Sequence, residues 1–408
     1  WSAGPARGEH MPPAHTGALE GRTVGDLSRV LAGPLCTQML ADQGASVIKV
    51  EPPTGDETRG LGPPFDDAGN AAYFLALNRG KRSISLDLSK PAAQEVLHRL
   101  LADADILVEN FLPGTMERWG LGYEQTLAQR YPKLVYCSVT GFGADGPLGG
   151  LPGYAVLQAL CGLMSINGDE ASGATRVGMP IVDHLTGYVA LSGILMALHA
   201  RHRTGAGQRV EATLFDTALS LLLPHASNYF TSKASPRLLG SAHPNISPYD
   251  KFRAQDGELF LGIVNDTQFR RFCGCLGLEA LLEDERFATN SLRIQHRAAL
   301  KERIEGALAG EACGPLCERL MRAGVPAGAL NTLPQALNHP HSDHRGMVIR
   351  RAHYVGLRSP MRLLGTPGTP GADPPRFAQH TREVLSSLGF DAAASALLRS
   401  TGATPVTV

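Results

Sequence analysis

The chain carries no excess of charge of either sign: 38 lysines and arginines meet 38 aspartates and glutamates over 408 residues. That balance leaves no basic field of the kind nucleic acid or an anionic membrane surface attracts, so neither is expected as a partner. Cysteine is scarce. Its seven copies, an odd number scattered from Cys36 to Cys317, do not compose a disulfide framework and point to a reducing compartment. The only close pairs, Cys273-x-Cys275 and Cys313-x3-Cys317, lack the spacing and histidine partners of a zinc site, so no metal is expected. No apolar run reaches membrane-spanning length, and the helix expected at 185–198 is too short and has charged flanks. Three motifs are missing as well. LAGPLCTQ does not supply the G-x-G-x-x-G of a nicotinamide site, and neither a G-x-x-x-x-G-K-[ST] phosphate loop nor a G-x-S-x-G nucleophile elbow occurs.

What is present is alternation. TVGDLSRV reads as a strand, 35–42 as a helix with Pro34 in its first turn and Gly44 as its stop, and SVIKVE as a second strand. RSISLDL, a helix opened by Pro91 and running to about residue 102, DILVENF, a helix over 123–130 and LVYCSVTGFG continue the pattern. Residues 20–145 are thus consecutive βα units, which imply an α/β fold with a Rossmann-like parallel sheet. Ligands of such sheets sit beyond the carboxyl ends of the strands. That places the loops RVLAG (29–33), EPP (51–53), NFLPG (110–114) and TGFG (140–143) at a site. Past residue 216 the texture changes: 225–250 is rich in Ser, Pro, Asn and His, a hairpin turns at QDG (255–257), and amphipathic helices are expected at 267–276 and 296–308. The organisation read from this is an expression remnant over 1–10, a large domain over 11–224, a smaller α+β domain over 225–330, and a return segment over 331–408 that completes the large domain.

One stretch, residues 177–216, places a single carboxylate, Asp183, at the mouth of an apolar helix. The residues after it, including Leu191, Ile194, Leu195, Met196 and Leu198, are apolar on most faces, so the helix should be buried. Asp183 stands where an N-cap belongs, while Arg201, His202, Arg203 and Gly205 sign the other end. From local pattern alone Asp183 is a capping residue.

Several long blocks give that aspartate a second meaning. LSRVLAGPLCTQMLADQGASVIKVEPPTGDETR, FLALNRGKRSISLDL, DILVENFLPGTMERWGLGYE, VYCSVTGFGADGPL and PIVDHLTGYVALSGILMALHARHRTGAGQRVEATL follow in order, with AHPNISPYDKF, GVPAGALNT and QHTREVL behind them. Together they resemble the class III CoA-transferases almost end to end, and within them the succinate–hydroxymethylglutarate branch that moves CoA between dicarboxylates. The resemblance implies two interlocked chains forming a homodimer, acyl-CoA and dicarboxylate small molecules as substrates, and no tightly bound cofactor beyond the coenzyme A thioester itself. It also implies that Asp183 attacks the donor thioester, giving an aspartyl anhydride and then an aspartyl-CoA thioester. Covalent catalysis of this kind divides one hard exchange into easier steps. Carried over residue by residue, Val30, Leu31 and Ala32 would line the CoA site, Leu86 with Asn110 and Phe111 would meet adenine and pantetheine, and Arg118 would help with phosphate. Leu31 stands where the formyl-CoA branch has glutamine, which argues against formyl-CoA and oxalate. For the distal carboxylate of a substrate, Arg59, His243 and Asn245 are candidates, because a charged fork or an imidazole can neutralise it in a dry pocket. The compartment would be the cytoplasm in a bacterium and the mitochondrial matrix in a eukaryote.

Two departures bear on activity. Racemases of the same superfamily have histidine where Tyr154 stands, and tyrosine is a poor base near neutrality, so transfer ranks ahead of 2-methylacyl-CoA racemisation. Family members also carry an acidic residue directly after this position, whereas here Tyr154 is followed by Ala155 and the spacing to Asp183 is one residue short. The shortfall reads as an omitted, modified residue or, second, as a true deletion. A deletion keeps open a CoA-binding protein without turnover.

Overall fold

The structure, a computed structural model, describes residues 17–154 and 156–405. The remnant expected over 1–10 lies outside the described residues, and so does Ala155, on which the expected omission or deletion falls. The chain divides into two compact units, one from the described residues of 1–161, 178–222 and 344–408, the other from 162–177 and 223–343.

The first unit is built on six parallel strands: β1 (Thr23–Asp26), β2 (Ser46–Glu51), β3 (Lys81–Ser85), β4 (Ile106–Glu109), β5 (Val135–Thr140) and β6 (Arg209–Thr213). Their order is β3-β2-β1-β4-β5-β6, with Val24 of β1 opposite Val47 on one side and Ile106 on the other. This is the doubly wound order, and the strand order reverses between β1 and β4, where such sheets open a crevice. Both faces are covered, so β4 and β5 are buried at every position, as parallel strands require. Helix α1 (Ala32–Asp42) follows β1, α2 (Ala72–Leu77) precedes β3, and α3 (Pro91–Ala102) turns Ala93, Val96, Leu97, Leu100 and Leu101 inward at helical spacing. Pro91 occupies the first helical turn of α3, as expected.

The helix after Asp183 differs from expectation in three ways. Helix α4 spans Ile181–Thr204, 24 residues rather than the fourteen expected, and starts two residues before Asp183. It is also not buried all round: Val189 is 40% and Met196 66% exposed, while Thr186, Ala190, Ile194 and Ala197 face the interior. By length and composition it is long and apolar enough to cross a membrane, contrary to the expectation from the shorter helix. Its inner face instead packs on α1, β5 and β6 of the same unit. Gly187 makes that packing possible, because a Cβ there would come within 2.8 Å of the Ala32 carbonyl oxygen.

The second unit holds a three-stranded antiparallel sheet of Tyr249–Ala254, Gly257–Gly262 and Ala327–Ala329, with the first two strands joined through Gln255-Asp256. Helices Asp266–Leu276 and Arg297–Leu308 pack Phe269, Phe272, Leu300 and Ile304 against Phe252 and Leu259 to form its own core.

Candidate active site

The loop between β1 and α1 is held from below by buried charge. Asp26, at the end of β1, accepts from the Ser28 amide at 3.0 Å, from the Thr37 hydroxyl at 2.7 Å and from Lys81 Nζ at 2.9 Å. Lys49 donates to the Ser28 carbonyl at 2.8 Å and pairs with Asp56 at 2.9 Å. Burial alone would raise the Asp26 carboxyl, but Lys81 and Lys49 with these hydrogen bonds hold it at about 2, fully ionised. From above, the Asn110 side chain clamps Arg29, accepting from its amide at 2.8 Å and donating to its carbonyl at 2.7 Å. Between these anchors Val30 adopts φ +67°, a conformation that a β-branched residue avoids and that persists only where neighbours over-determine it.

Above this loop lies a cavity of about 220 Å³. Its walls come from the β1 loop (Arg29, Val30, Leu31, Ala32), the β4 loop (Asn110, Phe111, Leu112, Pro113), the β5 loop (Val139, Thr140, Gly141) and the 151–154 segment, and Asp183 opens into it. Gly141 and Gly153 allow the last two walls to meet, since a Cβ on Gly153 would lie 2.6 Å from the Gly141 Cα. Arg29, Phe111 and Leu112 stand between this cavity and an apolar groove of about 300 Å³ floored by Leu27, Val50, Leu86 and Leu88 and edged by Trp119.

Asp183 is the third residue of α4, not its cap, because Pro180 is the capping residue, its carbonyl accepting from the His184 amide at 3.0 Å, and the helix runs from Ile181. It is half-buried, and no lysine or arginine pairs with it among the described residues. Burial pushes its carboxyl above the ordinary value of 3.8, against its own amide and the nearby His184, which act to lower it. An acid in the first helical turn is favoured by the helix dipole, yet desolvation outweighs that here. The Asp183 charge, second to burial, also raises the phenol of Tyr73 on α2.

The cavity thus gathers Asp183, Tyr154, Val30, Leu31, Ala32, Asn110 and Phe111, with Leu86 in the adjoining groove. Tyr154 is 58% exposed, whereas Leu31 and Ala32 show little more than an edge. Arg118 is exposed, lines neither space and donates to Thr115 at 2.8 Å. The Arg59 guanidinium is spent: it is bidentate on Glu51 at 2.8 Å, and its remaining donors reach Asn70 and the Pro375 carbonyl. His243 and Asn245 belong to the second unit, where Asn245 exchanges hydrogen bonds with Asn228. Residues that sequence reasoning missed are Arg29 and Glu57, both on the cavity wall, and Tyr73. Arg29 stood in a strand-end loop already marked as a site, which was the available signal; Glu57 and Tyr73 carried none.

Residues 19–381 match the family model for CoA-transferase family III. The chain is 39% identical to the succinate–glutarate CoA-transferase of Agrobacterium fabrum over 91% of its length and 95% of that protein. It is 36% identical to the succinyl-CoA:glutarate CoA-transferase of Mus musculus, over 91% of this chain and 86% of that one. A crystal structure of a CaiB/BaiF family protein from Brucella suis superposes with a TM-score of 0.82 at 40% identity, covering 91% of this chain and all of the other. This protein belongs to CoA-transferase family III. It is a CoA-transferase, acting on coenzyme A thioesters.

Proposed function

We propose that this enzyme moves CoA from a dicarboxyl-CoA thioester such as succinyl-CoA to a second dicarboxylic acid, among them hydroxymethylglutarate, glutarate and itaconate, with Asp183 as the nucleophile. The observation that carries the reading is the Asp183 carboxylate itself, unpaired with any cation among the described residues and desolvated, at a cavity formed by the carboxyl-end loops of β1, β4 and β5. A carboxylate stripped of water and counter-ion is a stronger nucleophile than one in solution. Its oxygen attacks the thioester carbon, the C–S bond breaks, and the thiolate leaves behind a mixed anhydride. The thiolate then attacks the aspartyl carbonyl, so the donor departs as its carboxylate carrying an Asp183 oxygen and the enzyme holds CoA as a thioester. The acceptor carboxylate runs the same steps in reverse and restores Asp183. The amides of the first turn of α4 lie beside the reacting group and favour the negative charge that develops there. The apolar groove past Phe111, with Leu86 and Trp119, suits the pantetheine arm. The names of the Agrobacterium and mouse relatives support the dicarboxylate class.

Incubation with succinyl-CoA should leave a CoA mass increment on the Asp183 peptide that hydroxylamine removes. Absence of that adduct with every dicarboxyl-CoA tried, together with α-proton exchange into a 2-methylacyl-CoA, would turn the reading to racemisation. A panel of acceptor acids then ranks the second substrate. The rate of adduct formation also has an acid limb. Only the ionised carboxylate attacks, and burial raises its pKa, so the rate falls as pH drops through a value above the 3.8 of an ordinary aspartate. A rate that stays flat down to pH 4 would contradict this.

We also read the chain as one copy of a homodimer, supported by the exposed apolar face of α4, where Val189 and Leu195 are each 40% and Met196 66% exposed. Sedimentation equilibrium should give one species of twice 43.3 kDa; a 43.3 kDa species at micromolar concentration would remove the reading.

A further inference from the structure

We propose that Arg29 selects the substrate: its guanidinium binds the distal carboxylate of the acyl group while Asp183 reacts with the thioester end. Arg29 is the only cation among the described residues that line the Asp183 cavity. Its main chain is fixed on both sides by Asn110, so the side chain springs from a rigid point. That side chain is half-buried, its Nε is buried without a hydrogen-bond partner, and no aspartate or glutamate pairs with it among the described residues. Its one marked contact is the Phe111 ring, 5.6 Å from the guanidinium carbon to the centroid. A buried guanidinium donor without an acceptor is costly, and a planar fork is matched best by a carboxylate or phosphate arriving with the ligand.

Both anions occur in a dicarboxyl-CoA, but their positions differ. The CoA phosphates lie at the far end of the long pantetheine arm, whereas the distal carboxylate of a short dicarboxylic acyl group is only a few carbons from the thioester. Arg29 lines both the cavity of about 220 Å³ that holds Asp183 and the apolar groove beyond Phe111, so it stands where the acyl group meets the pantetheine arm; with the phosphates at the far end of that arm, the distal carboxylate is the anion near Arg29 when Asp183 is at the thioester carbon. The same cavity wall carries Glu57, which forms no ion pair among the described residues. A dicarboxylate entering there meets two carboxylates, and Arg29 is the group that offsets them. Arg59, the candidate read from sequence, is already saturated by Glu51, Asn70 and Pro375.

This inference rests on the dicarboxylate reading above, and binding of unreactive analogues separates the two. The full-length enzyme and its Arg29→Met and Arg29→Lys variants are titrated with S-carboxypropyl-CoA, S-butyl-CoA and free CoA; the two thioethers differ only in the distal carboxylate. Arg29→Met should weaken S-carboxypropyl-CoA on the order of 10- to 100-fold, leave S-butyl-CoA and CoA within about twofold, and Arg29→Lys should restore part of the loss. Equal weakening of all three ligands would assign Arg29 to phosphate or to loop structure and overturn the proposal, and so would no weakening of any. Wild-type enzyme that forms the Asp183 adduct yet shows either pattern refutes only this inference. Wild-type enzyme that forms no adduct refutes the transfer reading first.

Discussion

Asp183→Asn should lower turnover by at least about 10⁴-fold and abolish the CoA adduct, while the protein unfolds at the same temperature or slightly higher. The kinetic half follows from the chemistry. An amide oxygen cannot form the anhydride, and among the described residues lining the cavity the only other carboxylate, Glu57, is exposed and on another wall. The stability half follows from the sign of the shift. A carboxyl raised above 3.8 in the folded chain binds its proton more tightly there than when unfolded, so at neutral pH its ionised form opposes folding. Asparagine removes that penalty, and relief of strain at a functional site is a familiar trade. Asp183→Ala serves as the second variant, free of slow deamidation back to aspartate. Turnover within about tenfold of wild type, with CoA attached at another residue, would sink the assignment. An independent readout is isotopic: with ¹⁸O in the acceptor carboxylates, label should enter Asp183 and appear, over successive turnovers, in the released donor acid in the wild type and not in the variants.

Much of this site was legible in the sequence because it lies at the ends of strands. Period and punctuation placed SVIKVE and the helix from Pro91 correctly, and the parallel alternation pointed to the loops at 29–33, 110–114 and 140–143 that line the cavity. Local pattern could not say that Asp183 is a third helical residue rather than a cap. Aspartate is favoured in both places, and Pro180 decides which by taking the cap itself. It could not give the exposed face of α4 either, since a helix apolar on all sides shows no period that distinguishes inside from outside. The arginines fail for a third reason. Arg59 and Arg29 look alike in one dimension, and only the fold shows that Glu51 saturates the first while Asn110 takes the backbone of the second and leaves its side chain to the cavity. Asn110 itself is a clamp whose side chain is occupied, so its part in CoA binding would come through the shape of the loop.

That loop depends on the charges beneath it, and Lys81→Met should cost about 3–5 kcal/mol of folding stability. Lys81 Nζ is wholly buried and spends three donors, on Asp26 Oδ2, the Pro34 carbonyl and Asn78 Oδ1, each at 2.9 Å. Burial pulls its pKa down to about 8 against the opposing pull of Asp26, so at pH 7 it remains charged. Methionine fills the space but leaves the Asp26 carboxylate with one buried cation fewer, Lys49, and an uncompensated buried charge is far more costly than the pair is worth. The loss should appear as a lower denaturant midpoint at unchanged slope. Adding Asp26→Asn should return part of it, because the two substitutions act on one interaction and are not additive. Lys251→Met, which breaks an exposed pair with Glu258 at 3.2 Å, is the control and should change stability by no more than about 1 kcal/mol. If Lys81→Met were equally mild, the buried network would not be what holds Ser28 in place. The strained Val30 next to Arg29 would then need another anchor, with Asn110 the one remaining.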